Sequence, residues 1–173
     1  VLFESLKAAG LRPHREVAVD SSGLRPGDLF IPNWSMGVDL AADVTVSHFS
    51  QANPSLNASG EDNASIRAAN RAANAKVVKH GPGCMAQGVD FLPLAVCSFG
   101  GWLPEGEAFV RKIAERLAEK SGMDQSVVAS QLWQRLSLSL WGSNATAILH
   151  HSPHGDLGNW DLPAWAGESL GDA

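Results

Sequence analysis

A chain of 173 residues with 45% hydrophobic and 18% charged side chains has the make-up of an ordinary soluble globular domain, long enough to bury a core without disulfide or metal staples. It holds no apolar run of membrane-spanning length, and no signal-peptide pattern opens the sequence. The formal charge of −5 is concentrated in residues 152–173, where Asp156, Asp161, Glu168 and Asp172 stand without any Lys or Arg; without these four, 14 acidic residues face 13 basic ones, a balance that neither demands nor forbids nucleic acid.

Residues 1–9 read as the end of a helix, with Leu2, Phe3 and Leu6 apolar and Gly10 as its stop. The opening at Val1, mid-helix in character, predicts a piece of a longer polypeptide. Arg15–Val19 alternates apolar and polar residues and is a predicted strand, turned back by Ser21, Ser22 and Gly23. Asp28–Ile31 is a second short strand, and Pro32–Gly37, with Trp34, a loop. Ala41–Ser47 is the third strand, whose alternation sends Val44 and Val46 one way and Asp43 and Thr45 the other.

Residues 48–59, rich in Ser, Asn and Pro, predict a loop. An Ala-rich helix follows from Glu61 to Lys79, ended by Gly81-Pro82-Gly83. Val89–Val96 is a buried fourth strand with a tight exit at Ser98–Gly101. Pro104 opens a charged amphipathic helix to Lys120 that Gly122 stops, and a last helix, Gln125–His150, repeats Val128, Leu132, Leu136 and Leu140. The first three strands are joined closely enough for antiparallel pairing, and the helix before the fourth is the crossover that a parallel pair requires. The expected fold is α/β, a mixed central sheet of about four strands flanked by helices. The expected domain is residues 1–150, with 151–173 an acidic, flexible tail.

Two carboxylates stand out chemically. Asp28 in Arg25-Pro26-Gly27-Asp28-Leu29-Phe30-Ile31 and Asp43 in Ala42-Asp43-Val44-Thr45-Val46 each sit in an apolar, strand-forming run. Asp is a poor strand former, and a buried carboxylate is expensive unless something pairs with it. On adjacent strands the two could share a hard cation through oxygen ligands, Mg²⁺ foremost, suited to phosphodiester chemistry. Capping or turning at strand ends is the bland alternative for each. On the following helix, at about 3.6 residues per turn, Ile66, Ala69, Ala73 and Val77 form an apolar stripe. Lys76 lies at its edge, Lys79 farther round, and Arg67 and Arg71 on the opposite flank as a solvated face.

The strings LRPGDLFIPNW…AADVTV, RAANAKVVKHG, VDFLPLAVCSFGGW and QLWQRLSLSLWGSNATAIL, in that order, resemble the restriction-endonuclease-like PD-(D/E)XK nuclease superfamily. The branch is a divergent one, similar to domains in or beside reverse-transcriptase-bearing mobile elements of eukaryotic genomes, and the likeness spans residues 1–150. It implies a restriction-endonuclease-like core with C-terminal helices and a metal-dependent DNA endonuclease. Asp28 and Asp43 would be the metal carboxylates for Mg²⁺ or Mn²⁺, and Lys76 and Lys79, at the branch's K-x-x-K spacing, the lysines. The resemblance also implies nucleic acid, DNA above all, as partner, a homodimer for paired-strand cleavage, and fusion to a larger mobile-element polyprotein. Two positions depart from the pattern: Thr45 stands where the superfamily has its strand lysine, and Cys97 where the branch often has an acidic residue. Both departures point to the alternative, a catalytically decayed domain of the same fold that binds nucleic acid or protein.

Other constellations are weaker. Cys84 and Cys97 form no CxxC and fit a reducing, intracellular setting, nuclear or cytoplasmic. His150, His151 and His154 have zinc-like spacing, but Pro153 interrupts them. No G-x-S-x-G elbow or phosphate-loop glycine pattern occurs. Trp34 and Trp102 could stack bases, although a Trp at a loop exit more often plugs a core.

Overall fold

The computed structural model describes residues 1–19, 23–47 and 62–151, with the backbone alone at 62–64 and 148–151. Within them the order is α1 (Leu2–Ala8), β1 (His14–Arg15), β2 (Leu29–Ser35), β3 (Val38–Ser47), α2 (Asp62–Ala86), β4 (Val89–Cys97), α3 (Pro104–Ser121) and α4 (Gln125–His151). The four strands lie side by side in the order β1-β2-β3-β4. The first two pairings are antiparallel and β3 runs parallel to β4, with α2 as the crossover. The fold is therefore α/β with a mixed sheet between helices, as the strand and helix pattern predicts.

Period-two alternation divides the sheet into two unequal faces. One face presents Leu29, Ile31, Leu40, Ala42 and Leu94 to Leu6 of α1, to Phe109, Val110 and Ile113 of α3, and to Leu132 and Leu136 of α4. Each large apolar side chain buried there contributes roughly 1.5–3 kcal/mol. The other face is covered by α2, across small residues: Ala69 and Ala73 meet Ala95 and Leu103, and Cys84 meets Ala41 and Val89. Small side chains on both partners let the helix lie close to the strands.

Several elements depart from expectation. β1 is two residues long because Glu16 turns into the left-handed region at φ 48°, so Val17–Val19 leave the sheet. Ser21 and Ser22 of the expected turn lie outside the described residues, as do the 48–59 loop and the tail from 152 onward. Pro32–Ser35 is strand rather than loop: β2 runs on through an irregularity at Asn33 (φ 51°). Asn33 N–H donates to Asp39 Oδ1 (2.8 Å), and Asn33 Oδ1 accepts from Gly37 N–H (3.1 Å). The hairpin closes at Met36 and Gly37, both at positive φ (49° and 85°), the two-residue type I′ geometry that matches strand twist. Trp34 is buried with its ring centroid 4.9 Å from Phe109, so it plugs the core and offers no stacking platform.

α2 does not stop at Gly81-Pro82-Gly83 but runs to Ala86, ending before Gly88 at φ 67°. Pro82 is exposed, so the carbonyl its missing N–H leaves unbonded faces water. The turn beyond it is held by fully buried Cys84. α3 and α4 follow the pattern closely: Gly122 closes α3 in the left-handed region, and Asp124 Oδ1 accepts the Ser126 N–H (2.8 Å) at the start of α4. The stripe of Val128, Leu132, Leu136 and Leu140 is buried throughout.

The entry to β2 has a steric requirement. Pro26 is fully buried, and a Cβ added at Gly27 would stand 2.5 Å from the carbonyl oxygen of Ala42. Only glycine allows this approach to the β3 backbone. Gly27→Ala is expected to lower unfolding free energy by about 2–3 kcal/mol, read as a lower denaturant midpoint; an unchanged midpoint would refute the close approach.

Candidate active site

The inward line of α2 is Ala69, Ala73, Lys76, His80 and Cys84, spaced as one helical face. This corrects the expected stripe: Ala69 and Ala73 are buried, but Ile66 and Val77 are each 44% exposed. Lys76 thus stands within the covered face and not at its edge. The strand residues opposite explain the rotation. Asp43 pairs in register with Pro93 and Thr45 with Ala95, small side chains that leave room for a lysine to lie across the sheet.

Lys76 Nζ is 2.9 Å from Asp43 Oδ2, with the two side chains 33% and 11% exposed. Thr45 Oγ1 donates to the same oxygen at 3.3 Å. At an effective dielectric of about 20, opposite charges this close attract by roughly 5–6 kcal/mol. Desolvating the two ions costs several kcal/mol each. The pair is therefore near break-even for stability, and its main effect is to fix where both charged groups lie. Removal of one partner would leave the other uncompensated.

Asp28 directly precedes β2, the strand beside that of Asp43. The β2–β3 register ends at Leu29 with Ala42, and Asp28 stands just beyond it. Its Oδ2 accepts the Val44 N–H at 2.8 Å, extending the β2–β3 ladder one step past the end of β2. The carboxylate is exposed, one residue along from Asp43. It also lines a groove of about 350 Å³ on the opposite face, whose walls include Val44, Val46, Trp102 and Leu140. Of the four predicted residues, Asp43 and Lys76 are brought together, Asp28 is held on the Val44 N–H with its carboxylate lining the groove on the other face, and Lys79 is exposed and pairs with neither carboxylate.

The donor chemistry suits a hard cation. Each carboxylate is anchored through Oδ2, while Oδ1 of each takes no hydrogen bond from a described residue. Mg²⁺ commonly takes one or two carboxylates and completes its shell with water and phosphate oxygens. Among the described residues no group of three or more His, Cys, Asp or Glu is arranged as an all-protein metal cage. His150 and His151 lie in α4, and His154 falls outside the described residues.

Cys97 carries less weight than its sequence position implies. It pairs with Ser47, four residues beyond the Asp43–Pro93 pairing and so about 13 Å along the strand. Its Sγ accepts the Gly101 N–H at 3.1 Å, and the side chain is buried. A small buried residue closing the strand exit is what the position requires. Trp102 is half-buried, edge-on to Trp133 at 5.8 Å, and belongs to the core.

One residue of the site goes unnoticed in the sequence. His80 follows Lys76 by one helical turn, is buried, and has an Nδ1 with no hydrogen-bond partner. Its ring centroid is 5.7 Å from that of Phe91. Burial pushes the imidazole below its ordinary pKa, Lys79 and Lys76 push the same way, and Asp43 opposes them. The only signal in the chain was its spacing from Lys76.

A pH prediction follows from the sign of that shift. The unfolded chain binds a proton at His80 at higher pH than the folded protein does, so His80 contributes stability above about pH 6.5 that is lost as pH falls. Unfolding free energy measured between about pH 7.5 and 5 should fall less steeply in His80→Phe than in the native chain. Identical slopes would contradict the assignment. The chain matches no protein-family model, no curated protein and no solved structure.

Proposed function

We propose that this chain is a metal-dependent phosphodiesterase domain of DNA-endonuclease type, of mobile-element origin, with Asp28, Asp43 and Lys76 as its working residues. The observation that carries the reading is the 2.9 Å approach of Lys76 Nζ to Asp43. A lysine borne by the helix reaches the second carboxylate on the face where Thr45 occupies the place of a strand lysine. A carboxylate pair with an adjacent ammonium is the side-chain set that metal-assisted phosphodiester hydrolysis uses.

Held by Asp28 and Asp43, Mg²⁺ or Mn²⁺ would supply Lewis-acid polarisation of the phosphate and a more acidic water. The chain's own groups do the positioning. The Val44 N–H fixes Asp28, while Lys76 and Thr45 fix Asp43, and in each case Oδ1 is left to accept a ligand. Lys76, anchored at one point on Asp43, keeps N–H donors for a phosphate oxygen and places positive charge where negative charge grows.

A second reading is a catalytically decayed domain of the same fold that binds nucleic acid or protein. It draws on Asp28, which lines the groove on the sheet face away from Asp43. That placement is compatible with a carboxylate kept only to close the β2–β3 ladder.

Cleavage of supercoiled plasmid with Mg²⁺ or Mn²⁺ separates the two. The native chain should nick the plasmid only with metal, and Asp43→Asn and Lys76→Ala should each cut on the order of 100-fold more slowly with unchanged circular dichroism. Cleavage by Asp43→Asn at the native rate would defeat the assignment. A folded native chain that leaves plasmid and single-stranded DNA intact would favour the decayed domain.

A further inference from the structure

We propose that the outer face of α2 is a track for a nucleic-acid backbone, with Arg71 and Lys79 taking phosphates beside the Asp43–Lys76 site. The proposal rests on the phosphodiesterase reading for the class of polymer, and assigns it a surface.

The charge distribution singles out α2. From Asn63 to Val89 the chain has no Asp or Glu, yet it holds Arg67, Arg71, Lys76 and Lys79. By contrast α3 is balanced, with Arg111, Lys112, Arg116 and Lys120 against Glu105, Glu107, Glu115 and Glu119. Lys76 is turned inward onto Asp43. Arg71 and Lys79 are exposed, and neither forms an ion pair with a described residue. A solvated helix face in a chain of net charge −5 has no need for an unbroken run of one sign.

Geometry makes the run a path. At about 100° per residue, Arg71 lies on the side away from the sheet and Lys79 lies on the flank, about 60° from Lys76. The row thus winds from the outer face toward the site lysine. At about 1.5 Å per residue the step from Arg71 to Lys79 covers about 12 Å, the axial rise of roughly three to four nucleotides of one strand. Asn70 and Asn74, both exposed, interleave the cations with amide donors of the kind that bind phosphate and sugar oxygens. α1, α3 and α4 pack on the opposite face of the sheet, so none of them stands over this row. Exposed Val78 and Met85 are too few to make the opposite, apolar half of a membrane-surface helix.

The test is salt-dependent binding of a labelled DNA oligonucleotide, duplex and single-stranded, by the whole 173-residue chain in chelator, where no cleavage occurs. For each phosphate that a variant leaves unneutralised, the slope of log K against log salt should shrink by about 0.9 for duplex and about 0.7 for single strands. Arg71→Gln with Lys79→Gln is expected to lower the slope by nearly two on duplex and to weaken binding on the order of tenfold at low salt. The charge-preserving pair Arg71→Lys with Lys79→Arg should keep the native slope. Arg111→Gln with Arg135→Gln removes the same charge from exposed positions on α3 and α4 and should also leave it unchanged. Equal weakening in both neutralised pairs, or none in the α2 pair, would overturn the proposal, as would a native chain that binds anionic lipid vesicles but no oligonucleotide. Native binding with the predicted slope change, from a chain that never cleaves DNA, would uphold the track and remove only the phosphodiesterase reading.

Discussion

The ion pair between Asp43 and Lys76 is the constraint around which this side of the molecule is built. A carboxylate in the middle of a central strand, under a helix, has to be compensated or expelled. Here the compensation comes from the helix itself, through a lysine at a position that an apolar residue would ordinarily fill. Its length requires space, and the sheet provides it with Pro93, Ala95 and Ala41 around the carboxylate. The same requirement fixes the rotation of α2 about its axis, which leaves Ile66 and Val77 partly in solvent and carries His80 inward behind Lys76.

The two faces of the sheet accordingly do different work. Stability resides on the face where α1, α3 and α4 bury large aliphatic and aromatic side chains against β2, β3 and β4. The α2 face has mostly alanines and a half-buried ion pair, and little to gain from its charged groups. Charged groups that add little stability but are held by several neighbours are arranged for chemistry or recognition more readily than for folding. The proposed phosphodiesterase site and the basic row both belong to α2, so one helix would deliver a site lysine inward and a polymer track outward.

Much of the architecture could be read from periodicity. The alternation of Asp43, Val44, Thr45 and Val46 placed the carboxylate on its correct face, and the leucine stripe of α4 and the Gly122 stop were legible because local and tertiary preferences agree there. What could not be read depended on packing between residues distant in sequence. Met36 occupies a left-handed turn position that Asn or Gly would have advertised. Gly81-Pro82-Gly83 looks like a stop until Cys84 is seen buried against Ala41 and Val89. A stripe that includes Ile66 and Val77 leaves Lys76 at its edge, whereas the buried face is chosen by the alanines, Ala69 and Ala73, and takes Lys76 in. The acceptance of the Val44 N–H by Asp28 leaves no trace in either segment alone.

The most direct measurement is a double-mutant cycle on unfolding free energy, with Asp43→Ala, Lys76→Met and the two combined. If the pair organises this face, the single changes are each destabilising and the double change costs less than their sum, with a coupling of about 1–3 kcal/mol. Strict additivity, within about 0.3–0.5 kcal/mol, would mean that the two side chains do not hold one another and that the site as described does not exist.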